Sequence, residues 1–364
     1  MVSEQNERVE EMATCPTYLI AAAFTKWTEF LHEAPPQYNG GYWKLTEHIG
    51  TPLPDILLEN AFHLLIPYAE LVLPTMDEQL FSQIKKLPET HKEYAGLFYT
   101  ALLNTGKDER RLCVPKETPP LCFWGYKLQK GSIDLYANSL YYVGYKARGG
   151  EVTNYGNTLG EFCTGASGGE HTNRGKVKND FASLVTGGSY INENDVQHFG
   201  QSASGGTLVN ENTCMHFAYS AYGNVLCVNR GSVQKTFATG GDGGTFSNEK
   251  DVLEHFGWQR RGGVCINRGS TKELAYDAIG GIYIIYELPQ RIARYAHGGT
   301  YIATQATSLF LERAKNAVCI TTEQLAKDVP LAQLIKKLEI TLDNVKIQDA
   351  VVKISDHCKR MYKS

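Results

Sequence analysis

Residues 187–200 have the sequence GGSYINENDVQHFG, and this arrangement recurs along the middle of the chain. An asparagine follows the second glycine by four residues, and the next asparagine comes 18 or 19 residues later. A fixed period near 20 residues is typical of a solenoid, in which each repeat is one coil stacked on its neighbours. The repeated asparagines are Asn154, Asn173, Asn192, Asn210, Asn229, Asn248 and Asn267.

The apolar segments within this repeat are too short for helices. Tyr190-Ile191 and Leu208-Val209 lie between a glycine pair and an asparagine, which is typical of short strands. The period therefore predicts a right-handed parallel β-helix of about nine coils, each of about 19 residues, over residues 130–304. The first coil has Leu135 in place of the asparagine, as expected of an atypical terminal coil.

Two columns of the repeat are predicted to face the interior. An asparagine at the same bend of every coil can donate its amide hydrogen to the next asparagine, because coils are stacked at the strand spacing of about 4.8 Å. Such a ladder satisfies buried polar atoms in series. The second column is aromatic and consists of Phe162, Phe181, Phe199, Phe217, Phe237 and Phe256.

The residue before each phenylalanine is polar, and strand alternation places it on the outside. Asp180, His198 and His216 belong to consecutive coils and are the candidate catalytic residues, since they lie close enough for metal binding or proton transfer. The alternative, that they are ordinary solvated side chains, stays open. The whole column is Glu161, Asp180, His198, His216, Thr236, His255 and Glu273.

A further column mostly alternates in charge from coil to coil. Opposite charges in neighbouring coils predict a surface ion-pair ladder, in which each pair contributes little to stability. The pairing also argues against a role for these arginines in binding nucleic acid. The column is Tyr155, Arg174, Glu193, Glu211, Arg230, Glu249 and Arg268.

No motif identifies a cofactor. Residues 240–245, GGDGGT, have the composition of an anion-binding nest, but no lysine follows at the spacing of a phosphate-binding loop. Nucleophile and zinc signatures are missing from the sequence. We therefore expect no cofactor, no metal and no identifiable small-molecule ligand.

Composition favours a soluble protein of the cytoplasm. The net charge of −3 gives no overall attraction to nucleic acid or to anionic membranes. The acidic, polar start of the chain is unlike a signal peptide, and no apolar run approaches the length of a membrane span. The nine cysteines are scattered and odd in number, which favours reduced thiols.

Helical patterns flank the repeat on both sides. Residues 1–129 are predicted to form a helical N-terminal domain and a bridge, and residues 305–364 a C-terminal helical segment. Thr321 and Gln324 have the spacing of a capping box. The apolar stripe that includes Leu331 and Ile335 can lie along the solenoid, cover its end or pair with a second copy.

The stretch GGEVTNYGNTLGEFCTGASGG, residues 149–169, resembles the glycine-rich GXGXG repeat. This repeat is found in the C-terminal domain of the large chain of glutamate synthase and in one of the components of formylmethanofuran dehydrogenase. The resemblance covers about residues 130–300 and includes the Gly156-Asn157 step and a small residue at Cys163. It implies a right-handed β-helix that serves as a scaffold within a larger enzyme, and it transfers no catalytic residue.

Two functions remain open at this point. The leading hypothesis is a non-catalytic scaffold or protein-interaction subunit of an intracellular assembly, because the repeat presents long flat surfaces. Protein partners or self-association are then expected, without nucleic acid or membrane. The alternative is an enzyme or a carbohydrate-binding protein that uses an outer groove of the helix together with Asp180, His198 and His216.

Overall fold

A computed structural model of the chain describes residues 16–33, 53–66, 84, 94–106, 110–119, 121–139, 141–304, 313–340 and 344–361. The chain folds as a parallel β-solenoid of about 11 turns, with helices before and after it in sequence. Two compact units are distinguished, residues 1–163 and residues 164–364.

The first unit contains three helices and three strands among its described residues. They are α1 (Pro16–Glu33), α2 (Leu53–Leu65), α3 (Ala95–Thr105), β1 (Arg111–Val114), β2 (Ser132–Leu135) and β3 (Glu151–Asn154).

The second unit contains β4 to β19 and three further helices in its described part. The strands are β4 (Glu170–Asn173), β5 (Val177–Phe181), β6 (Ser189–Asn192), β7 (Val196–Phe199), β8 (Thr207–Asn210), β9 (Thr213–Phe217), β10 (Gly223–Asn229), β11 (Ser232–Phe237), β12 (Gly243–Asn248), β13 (Val252–Phe256), β14 (Val264–Asn267), β15 (Thr271–Leu274), β16 (Ile282–Ile285), β17 (Arg291–Ile292), β18 (Thr300–Ala303) and β19 (Val318–Ile320). The helices are α4 (Thr322–Lys327), α5 (Val329–Ile340) and α6 (Asn344–Met361).

Helix α3 covers the first coil of the solenoid. Every described residue from Ala95 to Leu103 is buried. Thr100 accepts a hydrogen bond from the backbone N–H of Gly125 at 2.9 Å, and Asn104 accepts one from Gln129 at 2.8 Å. A terminal coil has no neighbour on one side for its backbone groups, so these side chains supply the missing partners.

Strands β1 to β3 pair in parallel within the first unit. Leu112 lies opposite Ile133, and Leu135 lies opposite Asn154. Leu135 thus occupies the asparagine position, as the repeat predicted. The strands begin at Arg111 and extend to Ile320, beyond the predicted interval 130–304, which is why the turns exceed the predicted nine. The additional coils lack the glycine pair and the asparagine that mark the central coils.

Two parallel sheets form the walls of the second unit. Sheet A has the order β4-β6-β8-β10-β12-β14-β16-β18-β19, and sheet B has the order β5-β7-β9-β11-β13-β15-β17. From β4 to β17, the chain alternates between the two sheets. Residues at the same phase of the repeat therefore pair, as Asn192 does with Asn210 and Phe199 with Phe217.

Both predicted interior columns are confirmed within the second unit. From Asn173 to Asn267, each asparagine Nδ2 donates to Oδ1 of the next at 2.9 Å, and all are fully buried. From Phe181 to Phe256, successive rings stack with centroids 4.7 to 4.8 Å apart. The ladder satisfies polar atoms that the hydrophobic interior would otherwise leave without partners.

The chain turns sharply after each phenylalanine. Ala182 and Ala218 both have a φ of 54°, in the left-handed region that disfavours large side chains at this crowded corner. The glycine pairs mark the opposite corner. Gly263 has a φ of 84°, and a Cβ there would lie 2.2 Å from the carbonyl oxygen of Gly243 in the preceding coil.

The C-terminal helices pack along sheet A on its outer side. Leu331 and Ile335 of α5 and Ile354 of α6 are buried in one apolar cluster with outward side chains of the sheet. The sheet residues are Val209, Val228, Ile266, Ile284, Ile302 and Ile320. Of the three arrangements open for the apolar stripe, the described part therefore lies along the solenoid. The capping box of Thr321 and Gln324 is also present.

Candidate functional site

The polar column lies on the outer side of sheet B. Asp180 pairs with His198 and His198 with His216 in the strand register, directly beside the buried phenylalanines. The register continues through Thr236, His255, Glu273 and Arg291.

Asp180 and His198 form a direct pair, with Oδ1 of the aspartate 2.9 Å from Nδ1 of the histidine. The ring of His216 lies next, with its centroid 5.4 Å from that of His198. Nδ1 of His216 contacts the hydroxyl of Thr236 at 2.8 Å instead of the aspartate. The pKa of His216 is lowered, first by burial and then by the neighbouring His198 and Lys235.

These three candidate residues are thus adjacent, but they do not converge on one point. Among the residues that the structure describes, no group of three or more histidine, cysteine, aspartate or glutamate side chains has the arrangement of a metal site. What the column offers at this end is a hydrogen-bonded Asp180–His198 pair with about a third of each side chain exposed.

A second cluster stands at the other end of the same column. The side chain of Glu273 is only 6% exposed, and its Oε1 accepts a hydrogen bond from Nη1 of Arg291 at 2.9 Å. Its Oε2 lies 3.1 Å from Nδ1 of His255, and Nη1 of Arg294 lies 3.9 Å from Oε1. A buried carboxylate therefore holds two guanidinium groups and an imidazole around it.

Aromatic rings border this second cluster. The centroid of Trp258 lies 5.2 Å from that of His255, and the centroid of Tyr276 lies 5.8 Å from it. The guanidinium of Arg294 lies over Tyr276 and Tyr295, at 5.9 and 5.1 Å from the ring centroids. The periodic pattern placed His255 and Glu273 in the column. The pattern did not predict the rings of Trp258 and Tyr276, because the residue type at their position of the repeat differs from coil to coil.

A groove runs beside sheet A, between the glycine corners and helix α6. Its volume is about 1180 Å³, and five successive coils contribute glycines to its floor. Ile279 on the solenoid and Val352 on the helix are 56% and 58% exposed at its lips. Ser355, Asp356 and Lys359 complete the wall that α6 provides.

Backbone carbonyl oxygens of the glycine-rich segment 240–245 accept hydrogen bonds from the side chain of Arg260. Arg260 is fully buried, and its Nη1 donates to the carbonyl oxygens of Gly240 at 2.6 Å and Ala221 at 2.7 Å. Its Nη2 donates to the carbonyl oxygen of Gly243, and the guanidinium lies 4.2 Å from the ring centroid of Phe246. In an anion-binding nest, backbone N–H groups face the ligand. Here backbone carbonyl oxygens face a guanidinium instead.

The described cysteines are free thiols. Cys227 and Cys265 lie in one interior column, separated by Phe246 in the strand register. Burial raises the pKa of the Cys265 thiol to about 12. Such thiols are unreactive packing groups.

Comparison with models of protein families, with curated proteins and with solved structures found no match to this chain. The resemblance to the GXGXG repeat therefore stays a prediction. None of the helices in the described part of the chain has the length and apolar character needed to cross a membrane.

Proposed function

We propose that the protein is a non-catalytic interaction scaffold of a cytoplasmic assembly, and that it binds an extended segment of a partner protein in the groove beside α6. The observation that carries the proposal is the groove itself, with its floor of glycines from five coils. A floor without side chains lets a partner's backbone approach closely.

The dimensions of the groove suit an extended peptide. Five coils at the strand spacing cover about 19 Å, which corresponds to about six residues of extended chain. The lining is mixed in character: Val225, Val264 and Ile282 are apolar, whereas Thr245 and Thr300 carry hydroxyl groups. Asp356 and Lys359 on the wall offset each other in charge, so a nearly neutral segment with small apolar side chains is the best complement.

Position-specific cross-linking tests this proposal. A photoreactive amino acid is placed at Ile279 or at Val352 and irradiated in an extract of cells that make the protein naturally. Because both positions are exposed on the lips of the groove, we expect both to give the same adduct. The control position is Leu253, which is 52% exposed outside the groove, and it should give none.

The adduct also identifies the occupant. Mass spectrometry should place the cross-link in one short segment of another protein. A synthetic peptide of that segment should bind at least about tenfold more weakly to the variants Ile279→Arg and Val352→Arg than to Leu253→Arg. An adduct with a second copy of the chain, or equal adducts from all three positions, contradicts the proposal.

A second candidate function rests on the Asp180–His198 pair. This candidate is an enzyme or a carbohydrate-binding protein that uses the outer face of sheet B. In an enzyme, a histidine whose Nδ1 faces a carboxylate is oriented for proton transfer through Nε2. Metal analysis of the purified protein and of His198→Ala tests it. Metal that survives dialysis and disappears in the variant would favour this function.

A further inference from the structure

The cluster around Glu273 has the features of a ligand site on the outer face of sheet B. We infer that the arginine–aromatic patch, formed by His255, Trp258, Glu273, Tyr276, Arg291 and Arg294, binds the carboxylate or phosphate group of an acidic sugar. This site is separate from the groove beside α6, since it lies on the other sheet, and it does not depend on the scaffold proposal.

Glu273 acts as a fixed support for the arginines. Its side chain is 6% exposed and accepts a hydrogen bond from Arg291 at 2.9 Å. A buried carboxylate without partners would cost free energy, and the arginine beside Glu273 offsets that cost. The consequence is that the guanidinium of Arg291 has a defined position before any ligand arrives.

Arg291 remains accessible from solvent. It uses Nη1 on Glu273, while 48% of its side chain is exposed. A guanidinium has five N–H donors in a fork that fits carboxylate and phosphate oxygens. The half-exposed guanidinium of Arg291 therefore offers N–H donors toward solvent in a fixed position, which complements an anion.

The aromatic wall favours a sugar over a bare anion. Trp258 and Tyr276 are both partly exposed and meet edge to face, with centroids 6.2 Å apart. Apolar ring faces pack against the C–H faces of a pyranose, which a bare anion does not offer.

Calorimetric titration with four small probes tests the inference on the full chain. The probes are glucuronic acid, glucose 6-phosphate, neutral glucose and inorganic phosphate. We expect the two acidic sugars to bind at least about tenfold more tightly than glucose or phosphate, because only they engage both the arginine and the aromatic wall. Fluorescence of Trp258 should change on binding, and Trp258→Phe should abolish that change.

Variants locate the binding on the patch. Arg291→Gln keeps Arg294 beside Glu273 and should weaken acidic-sugar binding at least about tenfold. Arg261→Gln, at an exposed arginine outside the patch, should leave it unchanged. Thermal unfolding of each variant shows whether the fold is retained.

Three results overturn the inference. They are equal binding of glucose and glucuronic acid, equal loss in both arginine variants, and no binding of either acidic sugar at about 10 mM. Binding of single-stranded RNA in preference to the acidic sugars is a fourth contrary outcome, because it would assign the arginines and rings to nucleic acid.

Discussion

Asn210 accepts a hydrogen bond from Asn192 and donates one to Asn229, each at 2.9 Å, although 18 residues separate the first pair and 19 the second. The ladder therefore keeps its geometry when a coil is one residue shorter. The shortening falls between Asn192 and Phe199, which are seven residues apart, whereas Asn173 and Phe181 are eight apart. The buried polar contact keeps the register, and a β-bulge between Val177 and Asp180 in β5 accounts for the extra residue of the longer coil.

Replacement of Asn210 should break two rungs of the ladder at once. Asn210→Leu leaves the amide of Asn192 and the carbonyl oxygen of Asn229 without side-chain partners in a fully buried place. Each orphaned group costs about 1–3 kcal/mol, so the free energy of unfolding should fall by about 2–6 kcal/mol. Urea unfolding measures it. The exposed Asn224→Leu should change it by less than about 0.5 kcal/mol, and an equal effect of both contradicts the ladder's role.

Arg260 should be essential at its buried position. Arg260→Ala removes donors from three carbonyl oxygens and leaves a cavity, which should cost about 4 kcal/mol of unfolding free energy. Arg260→Met restores most of the volume, so its smaller loss measures the carbonyl contribution. The exposed neighbour Arg261→Met provides the control. A methionine variant as stable as the wild type would show that the carbonyl oxygens do not need the cation.

The periodic part of the fold could be predicted from sequence because the coils place the same residue types at the same structural positions. Glycine at the corner, asparagine at the bend and phenylalanine inside recur, so one coil explains the others. Arg260 occurs in one coil only, at a phase where Ala203, Ala221 and Ala278 stand in others. A single long cation among alanines gives no periodic signal, and its carbonyl partners are distant in sequence.

The same limit applies to the candidate site. The column before the phenylalanines was predictable and includes Glu273, but the sequence favoured Asp180, His198 and His216 because they are consecutive. Whether a member of the column is buried depends on the side chains at neighbouring positions of the repeat, such as Trp258 and Tyr276. The packing of helix α3 on the first coil could not be predicted from the sequence either, because its apolar character is typical of any packed helix.

Acid should destabilise the fold through His171. Its ring lies inside the solenoid, stacked on Tyr190 with centroids 5.3 Å apart, and burial lowers its pKa to about 4. The unfolded chain, with a histidine pKa of about 6.5, binds the proton first. Stability should therefore fall by up to about 3 kcal/mol between about pH 6.5 and pH 4, with no contribution above that range.

The variant His171→Phe should remove this part of the pH dependence, because phenylalanine keeps the ring stack without a titratable group. Unfolding free energies between about pH 4 and pH 7.5 provide the measurement. His297→Phe, at an exposed histidine, should leave the wild-type slope intact. The same acid slope in His171→Phe would assign the effect to other groups.

The surface ion pairs should matter much less. Nη1 of Arg230 lies 3.0 Å from Oε1 of Glu211, and its Nε lies 3.3 Å from Oε2 of Glu249, with 30% of the arginine side chain exposed. Solvent and salt screen such pairs, so Arg230→Ala should lower the free energy of unfolding by less than about 1 kcal/mol. Repeating the urea titration in about 1 M salt should reduce the difference further. A loss as large as that of Asn210→Leu would contradict this ranking.

The C-terminal helices should be inseparable from the solenoid in the second unit. Leu331 is fully buried with the outward side chains of sheet A, and the hydroxyl of Tyr286 donates to the carbonyl oxygen of Ile335 at 3.2 Å. Leu331→Asp places a carboxylate in this apolar cluster and should release α5 and α6, seen as rapid proteolysis after Val329. Val329→Asp is the matched control, because Val329 is 55% exposed. If Leu331→Asp instead leaves protease resistance unchanged and alters only the oligomeric state, the helices serve self-association, as the apolar stripe alone also permits.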